Sequence, residues 1–201
     1  MTEYFGGFGV KESVDFELSA IDSDKFVGFL IRCDEKQKEE ALFYVQFAMM
    51  YTTHWGDKRI RVFNQCLTMA KNLNGYYKAA DCEALSVFSV KRHVSRVMVN
   101  GAKGSKESTI SELVNLLHIY RQKCAAQTSP SQLILPDNLK LLPLYTLTTL
   151  KSPALKMFPG VKLDEKIFWM YKLLKMPNSH IPYFFYPRVY KVTDVGTQVT
   201  S

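Results

Sequence analysis

The sequence predicts an α+β protein in which an antiparallel β-sandwich portion is followed by an all-α helical domain. Before residue 70, apolar residues alternate with polar ones, as in half-buried strands. After residue 70, apolar residues recur at spacings of three and four, as on the buried face of a helix. We therefore expect a β-sandwich portion over residues 1–70, a helical domain over residues 71–180, and the beginning of another module over residues 181–201.

The β portion is predicted to contain two strands followed by a long hairpin. Alternation indicates a strand over residues 14–20 and a second over residues 26–31. Residues 41–53 are apolar in both alternating sets, which is typical of a central strand covered on both sides. A turn at Gly56-Asp57 then leads into an antiparallel return over residues 58–68.

The first half of the helical domain is predicted to be two helices joined through glycines. Residues 72–99 favour an amphipathic helix or a broken pair of helices, and residues 101–104 end it. Thr109 and Glu112 have the spacing of a capping box, which predicts that the next helix begins there.

Two shorter helices are predicted further along the chain. Pro143 is suited to the first turn of a helix over residues 144–151, and Asp164 is suited to cap the helix that follows it. The spacing in that last helix predicts an inward face made by Ile167, Phe168, Tyr171 and Leu174. Across the whole chain we expect buried side chains at Tyr44, Phe47, Leu117, Leu144 and Phe168.

The charge is distributed unevenly between the two parts of the chain. The net charge of +7 combines −3 over residues 1–70 with +10 over residues 71–201. Such asymmetry indicates that the basic part faces an anionic partner, although lysines spread over a soluble surface give the same count. The candidates for an anionic-membrane-facing group are Lys91, Arg92, Arg96, Lys103, Lys106, Arg121 and Lys123.

Two arginines of the predicted hairpin form a separate basic pair. On a strand, Arg59 and Arg61 share one face while Ile60 and Val62 take the other, which we expect to face the core. The two arginines are therefore expected to be exposed and not to enclose a ligand pocket. A phosphate-binding role for them remains open from the residues alone.

No catalytic, cofactor-binding or metal-binding motif is found. Residues 101–108 resemble a phosphate loop but have Lys106 where the second glycine belongs. The four histidines and four cysteines lack metal-ligand spacing, and the cysteines are expected to be free thiols in a reducing compartment. The start of the chain shows no signal peptide, and the longest apolar run is too short to cross a bilayer. We expect a cytosolic protein that is not an enzyme.

Three sequence stretches resemble one known family. "YTTHWGDKRIRVFNQCL", "SQLILPDNLKLLPLYTLTTLKSPAL" and "FFYPRVY" are similar to the cargo-adaptor subunit of the COPII inner coat, the Sec-twenty-four class, and most to the branch of its vertebrate paralogues C and D. The resemblance covers nearly the whole chain. It implies the end of a trunk module, a β-sandwich, a helical domain and the beginning of a gelsolin-like module. It also implies that the chain is a fragment or a reduced relative, because the trunk and the zinc-finger module of a complete adaptor are missing.

The resemblance implies a non-catalytic adaptor in vesicle transport from the endoplasmic reticulum to the Golgi. Its implied partners are the GTPase-activating sister subunit, mainly through the trunk, sorting signals on cargo, and the anionic surface of the endoplasmic reticulum membrane. The implied location is cytoplasmic, peripheral on that membrane and on COPII vesicles. No cofactor and no nucleic acid are expected.

A basic nucleic-acid-binding module is the alternative interpretation. It would use Arg59, Arg61 and the basic residues 91–96. This interpretation explains the charge, and salt-sensitive binding to RNA that exceeds binding to anionic liposomes would favour it.

Overall fold

The computed structural model describes residues 3–10, 15–32, 41–125, 132–156 and 162–185. These residues form two compact units that alternate along the chain. One unit contains the described residues of Met1–Asp81 and Val114–Lys140, and the other contains those of Cys82–Leu113 and Leu141–Ser201. The fold class is confirmed, because antiparallel strands precede a mostly helical region.

The described strands of the first unit pair in three antiparallel ladders, β1 with β4, β2 with β3, and β5 with β6. Their bounds are Glu3–Gly6 for β1, Gly9–Val10 for β2, Phe16–Glu17 for β3, Val27–Leu30 for β4, Leu42–Thr52 for β5 and Lys58–Thr68 for β6. The strand predicted over residues 14–20 is thus reduced to two residues, whereas the predicted return over residues 58–68 has the observed bounds of β6.

An aromatic cluster connects the short ladders to the long hairpin of β5 and β6. The rings of Phe16 and Phe29 have centroids 4.9 Å apart, and Phe29 stacks on Phe47 of β5 at 5.6 Å. Tyr4 and Phe8 extend the cluster, each 5–6 Å from Phe16. Aromatic pairs at these distances add about 0.5–1.5 kcal/mol each beyond the area that they bury.

The two faces of the β5–β6 hairpin differ in exposure. Phe47 belongs to the face that meets the aromatic cluster, whereas Tyr44 belongs to the other face and has 71% of its surface exposed. The prediction of a central strand covered on both sides is therefore wrong. Within the described residues β5 pairs only with β6. The apolar side chains on the Tyr44 face of β5, such as Met50, are exposed.

Helix α1, Leu73–Ala79, anchors the helical part of the first unit. The Asn72 side chain accepts a hydrogen bond from the Gly75 N–H and caps the helix. The Tyr77 hydroxyl donates to the Leu116 carbonyl at 3.0 Å, and its ring contacts that of Tyr120. Asn138 lies in a 3₁₀ turn, Asp137–Leu139. Its side-chain amide donates to the carbonyls of Tyr77 and of Ala80, the C-cap of α1. The predicted broken pair of helices over residues 72–99 is thus observed, with the break just after α1.

Helix α2, Cys82–Lys123, is folded back on itself at Gly101. This glycine has φ 73° and ψ 165°, a conformation that side-chain-bearing residues rarely adopt. The arms on either side run antiparallel: the Ser105 hydroxyl donates to the His93 carbonyl at 2.9 Å, and Arg92, further from the bend, contacts Glu112. The predicted capping box is wrong: Thr109 lies inside the second arm and its hydroxyl donates to the Ser105 carbonyl.

Three further helices lie in the described part of the second unit: α3, Leu142–Lys151; α4, Leu163–Lys175; and α5, Ile181–Phe185. Pro143 lies in the first turn of α3 as predicted, but Asp164 does not cap α4, whose N-cap is Lys162. The core of this unit is formed by Val87, Val90, Val94, Ala154, Leu155, Leu173 and Ile181. The strand-like run predicted near residues 189–195 lies outside the described residues.

The predicted burial of individual side chains is largely wrong. Leu117 is half-buried, and the other four are exposed, namely Tyr44, Phe47, Leu144 and Phe168. Of the predicted inward face of α4, Leu174 packs against the core, whereas Ile167, Phe168 and Tyr171 are exposed. Trp169, Met170 and Leu173 face the core in their place. Residues 167–171 are all apolar or aromatic, so the helical periodicity there fits two faces equally well.

Candidate interaction surfaces

The basic residues of the β5–β6 hairpin lie at the surface. Lys58, Arg59 and Arg61 are exposed, and the Arg59 guanidinium lies 3.6 Å from the Asp57 carboxylate. The predicted exposure of the arginines is confirmed. The prediction that Ile60 and Val62 face the core on the opposite side of the strand is wrong, because both are exposed as well.

Lys91, the first of the seven candidate membrane-facing residues, is buried. Its ammonium donates to the Met176 carbonyl at 2.9 Å, at the C-terminal end of α4. A cation there satisfies a carbonyl that has no partner within the helix and interacts favourably with the helix dipole. Burial lowers the pKa of the Lys91 ammonium below its ordinary value of 10.5. Lys91 therefore serves the interior of the second unit rather than its surface.

Arg92 and Arg96 meet a shared carboxylate across the two arms of α2. Arg92 lies 3.1 Å and Arg96 2.7 Å from the two oxygens of Glu112. Their side chains are only 14% and 24% exposed, so solvent screens these ion pairs less than it would at an open surface. The Ser108 hydroxyl is also within 3.3 Å of Arg96. Both arginines thus connect the arms of the helical hairpin.

The remaining candidates differ in position and exposure. Lys103 is exposed and Lys106 is half-buried, and both lie just after Gly101 in the second unit. Arg121 and Lys123 are exposed in the last turn of α2, which belongs to the first unit. Within the described part of the second unit, Lys103 and Lys106 are therefore the candidates that neither burial nor an ion pair holds between elements.

Sequence reasoning missed two residues that matter here, Glu112 and Trp55. The sequence predicts Glu112 in a capping box, although Glu112 lies 11 residues after Gly101 and Arg92 lies 9 residues before it, at similar distances from the bend. A hairpin of helices bent at Gly101 would have predicted that pairing. Trp55 directly precedes the predicted turn at Gly56-Asp57 and has no role in the sequence-based predictions, but it has 79% of its surface exposed.

Two small cavities occur in the described part of the second unit, each with a volume of about 10 Å³. They share Ser86, Tyr145 and Thr149 in their lining. The hydroxyls of Ser86 and Thr149 donate to carbonyls of their own helices, so they present little free hydrogen-bonding capacity to the cavities. Each has room for about one water molecule.

The residues that the structure describes contain no group of three or more His, Cys, Asp or Glu side chains able to hold a metal ion. Among them, no helix combines the length and the hydropathy needed to cross a bilayer.

Comparison with known proteins shows consistent similarity along the chain. The human protein transport protein Sec24D is 32% identical over 99% of this chain and 19% of its own length. The Arabidopsis thaliana protein transport protein SEC24 B is 33% identical over 96% of this chain and 17% of its own length. The crystal structure of the human COPII-coat protein Sec24c matches 98% of this chain and 26% of that chain, with 28% identity and a TM-score of 0.82. The chain therefore spans less than a fifth of these curated relatives and about a quarter of the solved chain.

Family models agree with these similarities. The Sec23/Sec24 beta-sandwich domain matches residues 1–70, and the Sec23/Sec24 helical domain matches residues 81–181. The resemblance to the adaptor class and its C and D branch is confirmed by the relatives named Sec24D and Sec24c. Because the helical-domain model alone matches half of its residues, the chain belongs to the Sec23/Sec24 family.

Proposed function

We propose that this chain supplies the β-sandwich and helical modules of a COPII cargo adaptor, a non-catalytic component of the coat that carries protein from the endoplasmic reticulum to the Golgi. The main support is its similarity to the human COPII-coat protein Sec24c over 98% of the chain. The proposed adaptor acts in the cytoplasm, peripherally on the endoplasmic reticulum membrane and on COPII vesicles. It requires no cofactor in this part of its sequence.

The proposed partners are the GTPase-activating sister subunit of the inner coat, sorting signals on cargo, and the anionic surface of the membrane. The exposed cations support the last of these, because each Lys or Arg near an anionic surface contributes about 1 kcal/mol of attraction. Lys103 and Lys106 remain candidates for that contact, as do Arg121 and Lys123. A hydrogen bond and ion pairs within the second unit better explain the positions of Lys91, Arg92 and Arg96.

A segment exchange tests the proposal directly. The matching segment of a complete Sec24 relative is replaced by this chain, and the chimera is assayed for sister-subunit binding and for vesicle budding from endoplasmic reticulum membranes with purified coat proteins. We expect budding and cargo packaging within a few-fold of the unmodified relative. A chimera that folds, as judged by circular dichroism, and binds the sister subunit but supports no budding would contradict the proposal.

A further inference from the structure

The tip of the β5–β6 hairpin, residues 50–61, is a rigid turn that carries an exposed tryptophan. The Thr53 N–H donates to the Asp57 carbonyl at 2.8 Å, and the Gly56 N–H donates to the Thr53 carbonyl at 2.9 Å. The Thr53 hydroxyl also accepts from the Asp57 N–H at 3.2 Å. Gly56 has φ 90°, which closes the turn, and Trp55 directly before it has 79% of its surface exposed. The hydrogen bonds therefore hold Trp55 at the end of the hairpin.

A pair of aliphatic side chains continues the apolar surface behind the turn. Met50 and Ile60 are cross-strand partners in the β5–β6 ladder and lie on one face of the hairpin. They are 76% and 71% exposed, among the most exposed large apolar residues of the described strands. Neighbouring apolar side chains this exposed are typical of a surface that contacts a membrane or another protein.

The same tip is positively charged. Lys58, Arg59 and Arg61 supply three positive charges and Asp57 one negative charge, so residues 50–61 carry a net charge of +2. Arg59 and Arg61 pair across the ladder with Tyr51 and Met49, on the face opposite Met50 and Ile60. The tip therefore combines a tryptophan, an exposed aliphatic pair and a cationic face.

We propose that residues 50–61 form an interfacial membrane contact that places Trp55, Met50 and Ile60 at the headgroup level of an anionic bilayer. Tryptophan favours this depth because its ring is apolar and its N–H remains near water, and cations beside it attract anionic headgroups. A single-stranded nucleic acid would require a basic groove with aromatic rings for successive bases. Met50 and Ile60 are apolar and not aromatic, which fits hydrocarbon better than stacked bases. The inference rests on the proposed function, since it names where a peripheral coat protein would touch the membrane.

The experiment uses the full chain with two kinds of vesicle, phosphatidylcholine alone and phosphatidylcholine with phosphatidylserine. Flotation measures binding, and tryptophan fluorescence measures the environment of the ring. We expect a blue shift with the anionic vesicles that is absent in W55F, because Trp169 is part of the core packing. W55A should reduce binding about tenfold through the lost apolar area, whereas W55F should retain most of it.

Removing charges in two different places distinguishes the contribution of the tip to vesicle binding from that of the net charge of the chain. K58Q/R59Q should weaken binding to anionic vesicles about 30-fold, at about 1 kcal/mol per cation. The matched control K151Q/K162Q removes two exposed lysines that lie outside the candidate membrane-facing group and far from residue 55 in sequence, and it should have a smaller effect. Equal loss in both variants, an unshifted Trp55 spectrum in the bound state, or tighter binding to single-stranded RNA than to vesicles would each overturn the inference.

The two proposals fail in different ways. Flotation that is indifferent to W55A refutes the hairpin contact and leaves the coat function to the budding assay. Absence of flotation at low salt also refutes the hairpin contact. A chimera that does not bud while the tip still binds vesicles refutes the coat function alone.

Discussion

Replacing Glu112 by glutamine should destabilise the helical hairpin of α2. The change removes the charge that Arg92 and Arg96 share at 3.1 and 2.7 Å, and it leaves two guanidinium groups of like charge beside a neutral amide. Hydrogen bonds to charged groups contribute about 1.5–3 kcal/mol each. The carboxylate is 42% exposed, so we discount the two interactions for screening and expect a loss of about 2 kcal/mol in the free energy of unfolding.

Chemical denaturation followed by circular dichroism measures this loss, with E107Q as the matched control. Glu107 is an exposed glutamate in the same arm of α2, so its neutralisation should change the free energy of unfolding by less than about 0.5 kcal/mol. A double-mutant cycle of R96Q with E112Q should give a coupling of about 1 kcal/mol. An E112Q variant no less stable than E107Q would refute the view that this carboxylate holds the arms together.

The remaining predictions concern the core, a buried ammonium and the hairpin arginines. L173A should cost about 2–5 kcal/mol in the free energy of unfolding, because Leu173 has no exposed surface, and a cost below 1 kcal/mol would exclude a tightly packed site. Burial lowers the pKa of Lys91 below 10.5, so the unfolded chain binds more protons between the folded-state pKa and 10.5. Wild-type stability should accordingly rise relative to that of K91M as pH increases through this window, and parallel pH profiles would contradict the burial. R59Q/R61Q should change the free energy of unfolding by less than about 0.5 kcal/mol, whereas a loss of several kcal/mol in a denaturation series would show that the pair is structurally required.

The sequence predicted well those features that local chemistry determines. The antiparallel return of β6 follows from the glycine-containing turn and the alternating pattern, and Pro143 correctly marks the first turn of α3. The exposure of Arg59 and Arg61 likewise follows from their charge. These features depend on residues close together in the chain.

The sequence predicted poorly those features that depend on distant partners. Thr109 has the pattern of an N-cap, but packing of the second arm of α2 against the first extends the helix back to Gly101. Phe168 and Trp169 are adjacent aromatics, and only the surrounding core determines that Trp169 packs inward. Lys91 appeared to be a surface cation because its acceptor, the Met176 carbonyl, lies 85 residues away.

The alternation of the two compact units along the chain affects how the protein can be cut and how it folds. The second unit is assembled from Cys82–Leu113 and from residues after Lys140, while Val114–Lys140 between them belongs to the first unit. No single peptide-bond cleavage can therefore release either unit as an intact piece. Closing a flexible loop as long as residues 114–140 costs about 3 kcal/mol in chain entropy. The second unit must offset this cost before its core is complete. We expect cleavage within residues 114–140 to slow refolding of the second unit far more than it speeds its unfolding, because the cut turns an intramolecular step into the association of two fragments.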